Sequence, residues 1–338
     1  MSSLVPPASE PLRVGMVGAG GIAGAHLPAW LGLGAQVSVY ALDGAPELTA
    51  YFGGGTVVGS FEELISQVDV VDVVTPTPFH REYIEAAAAA GKHVVSEKPL
   101  GRTAADARAA IDACTAAGVQ LYPGHVVRFF SEYETMHREV ANGTIGEIAV
   151  QRFTRGGTRP EKAWYHDDAQ SGGIILDQMI HDLDFARWNA GEVSTAFARI
   201  AKNGEGLDAI VNAQVVLTHV SGAISYVGGV WARPGTTFRT TFEIAGTGGI
   251  LRHDSTQYKP VVIDGGTPDE SGTGLLPAMR GVSPFTTELG EFARAFTGGP
   301  APRVSAEDGY AATVIAEAAI TSLETGQPVS VELAGVAA

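Results

Sequence analysis

The pattern of hydrophobic and polar residues changes near residue 125. From Leu12 to about Tyr122, short apolar runs alternate with stretches of helical periodicity. The strand-like runs include QVSVYAL, VDVVDVVTP, KHVVSEKP and VQLYPG, and the helix-like stretches include FEELISQ, HREYIEAAAAAG and TAADARAAIDACTAAG. We expect Gly91 to close the second of these helices and Thr103 to cap the third. Such alternation predicts a doubly wound parallel sheet.

Strands dominate the sequence after Gly146. The stretches EIAVQRFT, STAFARIAK, AIVNAQVVLTHV, GAISYVGGVW and TTFRTTFEIAG are strand-like, and a hairpin is expected to turn at Ser221 and Gly222. Two helices follow, in FTTELGEFARAFTGG and in SAEDGYAATVIAEAAITSLETG, the second capped by Ser305; residues 265–274 are expected to form a surface loop. The pattern therefore predicts a C-terminal α+β domain with a large, mostly antiparallel open sheet.

The length of the chain also indicates two domains, because 338 residues exceed the usual size of one hydrophobic core. The change of pattern places the predicted boundary between residues 125 and 126. We therefore expect domains of residues 1–125 and 126–338.

Composition and charge exclude several classes of protein. The chain is 45% hydrophobic and 17% charged, as ordinary globular proteins are, and its net charge of -15 argues against nucleic acid or an anionic membrane as a partner. The start, MSSLVPPASEP, lacks the features of a signal peptide, and no apolar run is long enough to span a bilayer, so we expect a cytoplasmic protein. Cys114 is the only cysteine and is expected to be a buried small residue.

A glycine-rich turn follows the first strand. Residues 18–23 fit the pattern G-x-G-x-x-A between a strand and a helix. In that setting the glycines let the backbone approach a pyrophosphate, and the helix N-terminus supplies amide donors. We therefore expect a dinucleotide to bind at Gly18, Gly20, Gly21 and Ile22.

The end of the second strand bears on the choice of cofactor. An acidic residue there usually accepts hydrogen bonds from the adenosine ribose, and the position holds Ala41 or, if the strand is extended, Asp43. Asp43 is otherwise a turn residue before Gly44. No arginine stands here to bind a 2′-phosphate, so the sequence favours NAD slightly over NADP.

Two later strands also end in polar residues. The third ends in TPTPFH, where two prolines stop the strand and form a rigid lip at the carboxyl edge of the sheet. His80 either begins the next helix or lies beside the nicotinamide. The next strand ends in Glu97, Lys98 and Pro99, which places a lysine where open α/β sheets bind their ligands.

Residues 171–188, SGGIILDQMIHDLDFARW, predict an amphipathic helix preceded by two glycines. Asp177, His181, Asp184 and Trp188 follow at helical spacing and would share one face. That face is either a solvated stripe or part of a site. No cysteine or second clustered histidine supports a metal site, so we expect no metal.

In order along the chain, these motifs resemble those of the Gfo/Idh/MocA oxidoreductases, the relatives of glucose–fructose oxidoreductase and inositol dehydrogenase. The motifs are GxGxxA, TPTPFH, EKP, GHVVRF at 124–129 and GG-x2-LD-x3-H-x2-D, and the resemblance extends from Arg13 to about Glu332. It implies an N-terminal Rossmann domain that binds NAD or NADP. It also implies a C-terminal domain that supplies the substrate site and the contacts of a homo-oligomer, a dimer or tetramer.

The resemblance assigns roles to individual residues. It implies that Lys98 contacts the cofactor ribose and the substrate, that the Lys98–Pro99 peptide bond is cis, and that Asp177 and His181 form a catalytic pair. His181 would be the general acid/base, assisted by Lys98, because histidine holds either protonation state near neutral pH. The remaining expected cofactor contacts are Thr75, Pro76, Thr77, His80 and Glu97. The remaining expected substrate contacts are Arg128, Trp164, Tyr165 and His166.

The leading hypothesis is an NAD(P)-dependent dehydrogenase or reductase that acts on a sugar, an inositol or a related polyol. One alternative is a non-catalytic NAD(P)-binding redox sensor, which would bind ligand without turnover. Another is an NAD-dependent glycosidase that acts by transient oxidation and releases a free aglycone without net change of cofactor. The presence of Lys98, Asp177 and His181 together argues for turnover.

Overall fold

The computed structural model describes residues 10–257 and 282–333. The described residues divide into two compact units. The first lies within residues 1–130 and 281–313, and the second within residues 131–280 and 314–338. These units differ from the predicted ranges 1–125 and 126–338 because a late segment returns to the first unit. The assignment of separate functions to the predicted ranges stays a prediction.

The first unit contains a six-stranded sheet in which all neighbouring strands are parallel, in the order β3-β2-β1-β4-β5-β6. The strands are β1 (Arg13–Val17), β2 (Gln36–Tyr40), β3 (Thr56–Val57), β4 (Val70–Val73), β5 (His93–Glu97) and β6 (Leu121–Gly124). The helices between them are α1 (Ala23–Gly32), α2 (Ala45–Phe52), α3 (Phe61–Ser66), α4 (His80–Ala89) and α5 (Ala104–Ala117). The predicted doubly wound parallel sheet is confirmed.

Local sequence explains where several of these helices begin and end. The hydroxyl of Thr103 accepts a hydrogen bond from the backbone N–H of Asp106 at 3.1 Å, which confirms it as the cap of α5. Gly91 follows α4 with a φ of +69°, a conformation that glycine adopts without strain. The sequence did not predict the short α2 and β3, which follow Asp43.

The second unit contains a seven-stranded sheet in the order β12-β11-β7-β10-β9-β8-β13. Its helices and strands are α6 (Ser131–Ala141), β7 (Ile148–Thr158), α7 (Asp168–Ser171), α8 (Gly173–Asp177), α9 (Ile180–Ala190), β8 (Val193–Asn203), β9 (Ile210–His219), β10 (Ile224–Ala232), β11 (Arg239–Gly246), β12 (Gly249–Asp254) and β13 (Val329–Ser330). β7 and β10 pair in parallel and the other neighbours are antiparallel, so the predicted mostly antiparallel sheet is confirmed. The hairpin at Ser221 and Gly222 joins β9 to β10 as predicted.

The single helix predicted after Gly172 and Gly173 is wrong, because the structure divides it into α8 and α9. Both glycines have positive φ, at the junction between α7 and α8. The N–H of Met179 bonds to the carbonyl oxygen of Ile174, five residues back, which interrupts the helix before α9 begins. Asp184 is buried in α9, so the alternative of a fully solvated stripe is also wrong.

Two helices complete the described chain, α10 (Pro284–Phe296) and α11 (Ala306–Thr325). Phe292 of α10 stacks on Tyr122 of β6 with ring centroids 5.2 Å apart, so α10 belongs to the core of the first unit. Ser305 accepts a hydrogen bond from the N–H of Asp308 at 3.2 Å, as expected of the cap of α11. The predicted loop at 265–274 and the start of the chain before residue 10 lie outside the described residues.

Cys114 is buried in α5, as predicted, and burial raises the pKa of its thiol to about 11. Within the part of the chain that the structure describes, no helix has the length and apolar character needed to cross a membrane.

Candidate active site

The predicted cofactor residues follow four strands of the first unit that end at the same edge. The parallel register aligns Val17 with Tyr40 and with Val73, and Val73 with Ser96. The glycine turn, the end of β2, the TPTPFH segment and the EKP segment therefore all leave the carboxyl edge of one sheet. This edge is where ligands bind in open α/β sheets.

The glycine turn approaches the neighbouring strand closely. Gly18 has a φ of +112°, and a Cβ atom added to it would lie 2.8 Å from the carbonyl oxygen of Val74. Its N–H donates to the carbonyl oxygen of Tyr40 at 2.8 Å. α1 begins five residues later, and no acidic residue in its first turn opposes an anion at the positive end of the helix dipole. The turn therefore fits the pyrophosphate of a dinucleotide.

The candidates for the adenosine ribose lie just beyond β2. Ala41 is half-buried, and Asp43 is exposed in the turn before Gly44. Gly44 has a φ of +81° and precedes α2. The structure thus places Asp43 in a turn at the carboxyl edge, which is compatible with both interpretations of this residue. Its contact with the ribose stays a prediction.

His80 connects two of the loops at this edge. Its Nδ1 lies 2.8 Å from the carbonyl oxygen of Pro99, and its Nε2 lies 2.9 Å from that of Thr75. The ring is buried, and burial lowers the pKa of His80. His80 is also the first residue of α4, after a short 3-10 helix over Thr77–Phe79. The contacts show His80 holding the TPTPFH segment against the EKP turn; a contact with the cofactor stays a prediction.

The EKP turn fixes the backbone of Lys98. The peptide bond between Lys98 and Pro99 is cis, which confirms the expectation from the resemblance. The backbone N–H of Lys98 donates to Oε2 of Glu97 at 3.0 Å. The Lys98 side chain is half-buried, whereas the Glu97 carboxylate points into the interior of the unit.

Beneath the turn lies a buried group of ionisable side chains that the sequence did not predict. Nδ1 of His26 lies 2.9 Å from Asp72, and its Nε2 lies 3.0 Å from Glu97. Trp30 donates to the same oxygen of Asp72 at 2.7 Å. Two signals in the sequence mark this group: a histidine within the apolar stretch AGAHLPAW and an aspartate between valines in VVDVV. Both are unusual in segments that are otherwise buried.

Arg128, an expected substrate contact, is buried within the first unit with 1% of its surface exposed. Its Nη1 donates to the carbonyl oxygen of Arg303 at 2.9 Å and to Asp308 at 3.3 Å. These contacts join the 3-10 helix Val126–Phe129 to the segment before α11 and to the first turn of α11. They account for the burial of Arg128, and its contact with substrate stays a prediction.

In the second unit, Asp177 ends α8 and His181 lies in the first turn of α9. Both side chains are half-buried. The residue after His181, Asp182, is buried and accepts two hydrogen bonds from Arg155 of β7, at 2.8 and 2.9 Å. Arg155 also donates to the hydroxyl of Tyr133 at 3.3 Å. This bidentate pair attaches the start of α9 to the sheet and thereby restricts where His181 can lie.

The aromatic candidates lie on a short 3-10 helix, Ala163–His166, before α7. The rings of Trp164 and Tyr165 have centroids 3.9 Å apart, and both residues are partly exposed. Nε2 of His166 donates to the carbonyl oxygen of Pro160 at 2.7 Å. The segment therefore presents aromatic surface on a backbone held by local hydrogen bonds. Among the residues that the structure describes, no cluster of three or more His, Cys, Asp or Glu side chains could hold a metal ion.

Comparison with known proteins identifies the family. Residues 12–125 match the family described as "Oxidoreductase family, NAD-binding Rossmann fold", and residues 133–252 match the "GFO/IDH/MocA C-terminal domain". The chain is 32% identical over 338 residues to myo-inositol 2-dehydrogenase of Thermotoga maritima, covering 95% of this chain and 99% of the relative. The chain belongs to the GFO/IDH/MocA family. The resemblance found in the sequence motifs is thus confirmed.

Other members of the GFO/IDH/MocA family extend the comparison. The 1,5-anhydro-D-fructose reductase of Ensifer adhaerens is 33% identical over 295 residues, covering 83% of this chain and 85% of the relative. The crystal structure of a probable dehydrogenase from Thermotoga maritima superposes with a TM-score of 0.80 at 30% identity, covering 95% of this chain and 99% of that chain. The protein is therefore an oxidoreductase of this family with an NAD-binding Rossmann domain.

Proposed function

We propose that this oxidoreductase transfers hydride between a nicotinamide dinucleotide and a secondary alcohol or ketone of a sugar, an inositol or a related polyol. The observation that carries the proposal is the shared sheet edge on which the Gly18 turn and the Lys98 turn both lie. The substrate class is supported by two relatives, whose names specify an inositol and an anhydro-fructose. NAD is the favoured cofactor.

The first unit supplies the cofactor contacts in this proposal. Gly18, Gly20, Gly21 and Ile22 face the pyrophosphate, and Asp43 or the backbone at Ala41 meets the adenosine ribose. The nicotinamide end is held by the remaining predicted contacts, Thr75, Pro76, Thr77, His80, Glu97 and Lys98. When bound, the nicotinamide supplies the site that accepts or donates hydride.

The proton chemistry is assigned to three side chains. In the oxidative direction His181 takes the hydroxyl proton as hydride leaves the same carbon, and in the reductive direction it returns that proton. Lys98 assists this proton transfer by donating a hydrogen bond to the reacting oxygen. Asp177 binds substrate hydroxyls and orients His181. Because Asp182 and the Glu97–Lys98 turn are anchored in their own units, each reactive side chain starts from a fixed backbone.

The remaining expected substrate contacts have different support. Trp164 and Tyr165 are partly exposed and offer aromatic faces that suit the C–H surface of a sugar ring. His166 and Arg128 already have protein partners, so we expect any contact they make to be secondary.

We also propose a homo-oligomer formed through the second sheet. Ile224 and Tyr226 lie two residues apart on β10 and therefore share one face of the sheet. They are 37% and 42% exposed, which leaves apolar surface on that face. Light scattering of the purified protein tests this, and a monomer at all concentrations would contradict it.

The reaction is tested by following cofactor absorbance with a panel of inositols, aldoses and keto-sugars, with NAD and NADP supplied in both redox states. We expect turnover with one substrate class and faster turnover with NAD than with NADP. Aryl glycosides belong in the same panel, because release of free aglycone without net change in cofactor would replace the dehydrogenase with the glycosidase. Tight binding of cofactor and sugars without turnover would replace it with the redox sensor.

A further inference from the structure

A buried hydrogen-bond network inside the first unit joins His26, Asp72 and Glu97. His26 is fully buried in α1, and its two ring nitrogens face carboxylates from two neighbouring strands, Asp72 of β4 and Glu97 of β5. These residues are 46 and 71 positions from His26 in the sequence. This network ends at Lys98, whose backbone N–H donates to the other oxygen of Glu97.

The hydrogen-bond partners determine which groups in this network are charged. Trp30 and the Lys98 backbone are donors only, so Asp72 and Glu97 accept from them as carboxylates do. An imidazole that bonds carboxylates through both nitrogens carries a proton on each. Burial alone lowers the pKa of His26, but the charges and hydrogen bonds of Asp72 and Glu97 outweigh burial and hold it well above its ordinary value.

We propose that His26 and Asp72 are positioning residues that act through Glu97 to fix Lys98 for the reaction. The inference rests on the proposed function, in which Lys98 acts in proton transfer. The His26 imidazolium binds one oxygen of Glu97, so the second oxygen is directed at the backbone N–H of Lys98. This contact fixes the backbone position from which the Lys98 side chain extends. A buried charged hydrogen bond is directional, and a small displacement at a reacting group is costly.

Other charged or titratable groups face this network from α10 and α4. Glu288 of α10 is fully buried, and neither carboxylate oxygen has a hydrogen-bond partner among the described residues. Burial, followed by the charge of Glu97, raises the pKa of Glu288 well above its ordinary value and so favours its protonated form. Glu291 of α10 contributes a weaker repulsion to Glu288, and His80 of α4 is coupled to both Glu97 and Lys98. Glu288 is thus a buried glutamate that lies beside the network and forms none of its hydrogen bonds.

Glu288 provides a matched control for Glu97. Both are buried glutamates, and glutamine replaces each without change of size. Glu97→Gln changes a carboxylate that His26 and Lys98 contact, whereas Glu288→Gln changes a carboxyl group with no hydrogen-bond partner among the described residues. Asp72→Asn is a third variant. It changes the end of the network away from Lys98 and keeps an oxygen that can accept hydrogen bonds from His26 and Trp30.

The first measurement is the amide NMR signal of Lys98 in the full-length protein labelled with 15N-lysine. The chain has five lysines, so the signal is assigned by its loss in Lys98→Arg. We expect a strongly downfield amide proton in the wild type, a large upfield shift in Glu97→Gln, a smaller one in Asp72→Asn, and no shift in Glu288→Gln. An amide that is unchanged in Glu97→Gln would overturn the inference, because the contact would not depend on the carboxylate.

The second measurement is kcat and the KM for the cofactor, with the best substrate of the panel. Glu97→Gln is expected to lower kcat by about 100-fold with a smaller effect on KM for the cofactor, since placement of the reacting group is lost. Glu288→Gln should retain the wild-type kcat at pH 7. Equal losses of kcat in both variants, or an effect of Glu97→Gln on KM with no effect on kcat, would show a structural role only.

The two proposals fail in different ways. If the proposed function is wrong, the wild type does not turn over any sugar or polyol, whatever the Lys98 amide does. If the inference is wrong, the wild type turns over substrate and the Lys98 amide is insensitive to Glu97→Gln.

Discussion

The Cα of Gly18 stands against the carbonyl group of Val74: a Cβ at this position would lie 2.8 Å from the carbonyl oxygen and 3.0 Å from the carbonyl carbon. The φ of +112° at Gly18 adds a backbone conformation that other residues rarely adopt. The first glycine of the turn is therefore required by the packing of β1 against β4, before any cofactor is considered.

Gly18→Ala is expected to lower the free energy of unfolding by about 1–3 kcal/mol, the usual cost of a strained backbone position. The control is Gly21→Ala, where an added Cβ has no atom within 4 Å and the φ is not positive. Urea unfolding of both variants without cofactor tests this. Equal stability of the two variants would show that the turn adapts, and that Gly18 serves only the cofactor.

The sequence predicted the parts of the site that depend on local pattern. A glycine turn between a strand and a helix, and a lysine directly after a buried strand, place Gly18 and Lys98 at one sheet edge because parallel strands share their carboxyl ends. The cap at Thr103 follows in the same way from neighbouring residues.

The contacts between distant residues could not be predicted from local pattern. Nothing near His26 in the sequence indicates that its two partners are Asp72 and Glu97, because the strand order of the sheet creates that contact. The return of residues 281–313 to the first unit is likewise a property of the whole chain. The interruption at Met179 depends on one backbone hydrogen bond that no side-chain pattern signals.

Glu288 predicts a pH dependence of stability. Burial and the charge of Glu97 raise the pKa of this carboxyl in the folded protein, whereas the unfolded chain releases the proton above about pH 4.3. The folded state then binds more protons, so this group makes stability fall as pH rises from that value towards its folded pKa. Glu288→Gln removes the effect.

The stability gained by Glu288→Gln over the wild type is therefore expected to grow as the pH rises from about 5 towards the folded-state pKa of Glu288. Urea unfolding at four pH values measures it, with Glu47→Gln, a change at an exposed glutamate, as the control. A constant difference between Glu288→Gln and the wild type would mean that Glu288 ionises in the folded protein.

The buried pair Arg155–Asp182 predicts a large effect on stability in the second unit. Asp182→Asn leaves the Arg155 guanidinium buried without its counter-charge, which typically costs about 3–5 kcal/mol. The double variant Arg155→Met, Asp182→Leu removes both charges and is expected to recover most of the loss. Chemical denaturation of the single and double variants tests this, and additive losses would contradict a specific pair.

The most direct test of the account is the kcat of Lys98→Met with the best sugar or polyol substrate and NAD. Lys92→Met is the matched control, because Lys92 precedes the same strand at its opposite end and donates to the carbonyl oxygen of Val68. His181→Ala is measured beside them. We expect Lys98→Met and His181→Ala to lose at least about 100-fold in kcat, the lower range for a group that transfers protons, and Lys92→Met to retain activity. Wild-type turnover in Lys98→Met would contradict the central claim that this lysine acts in the reaction.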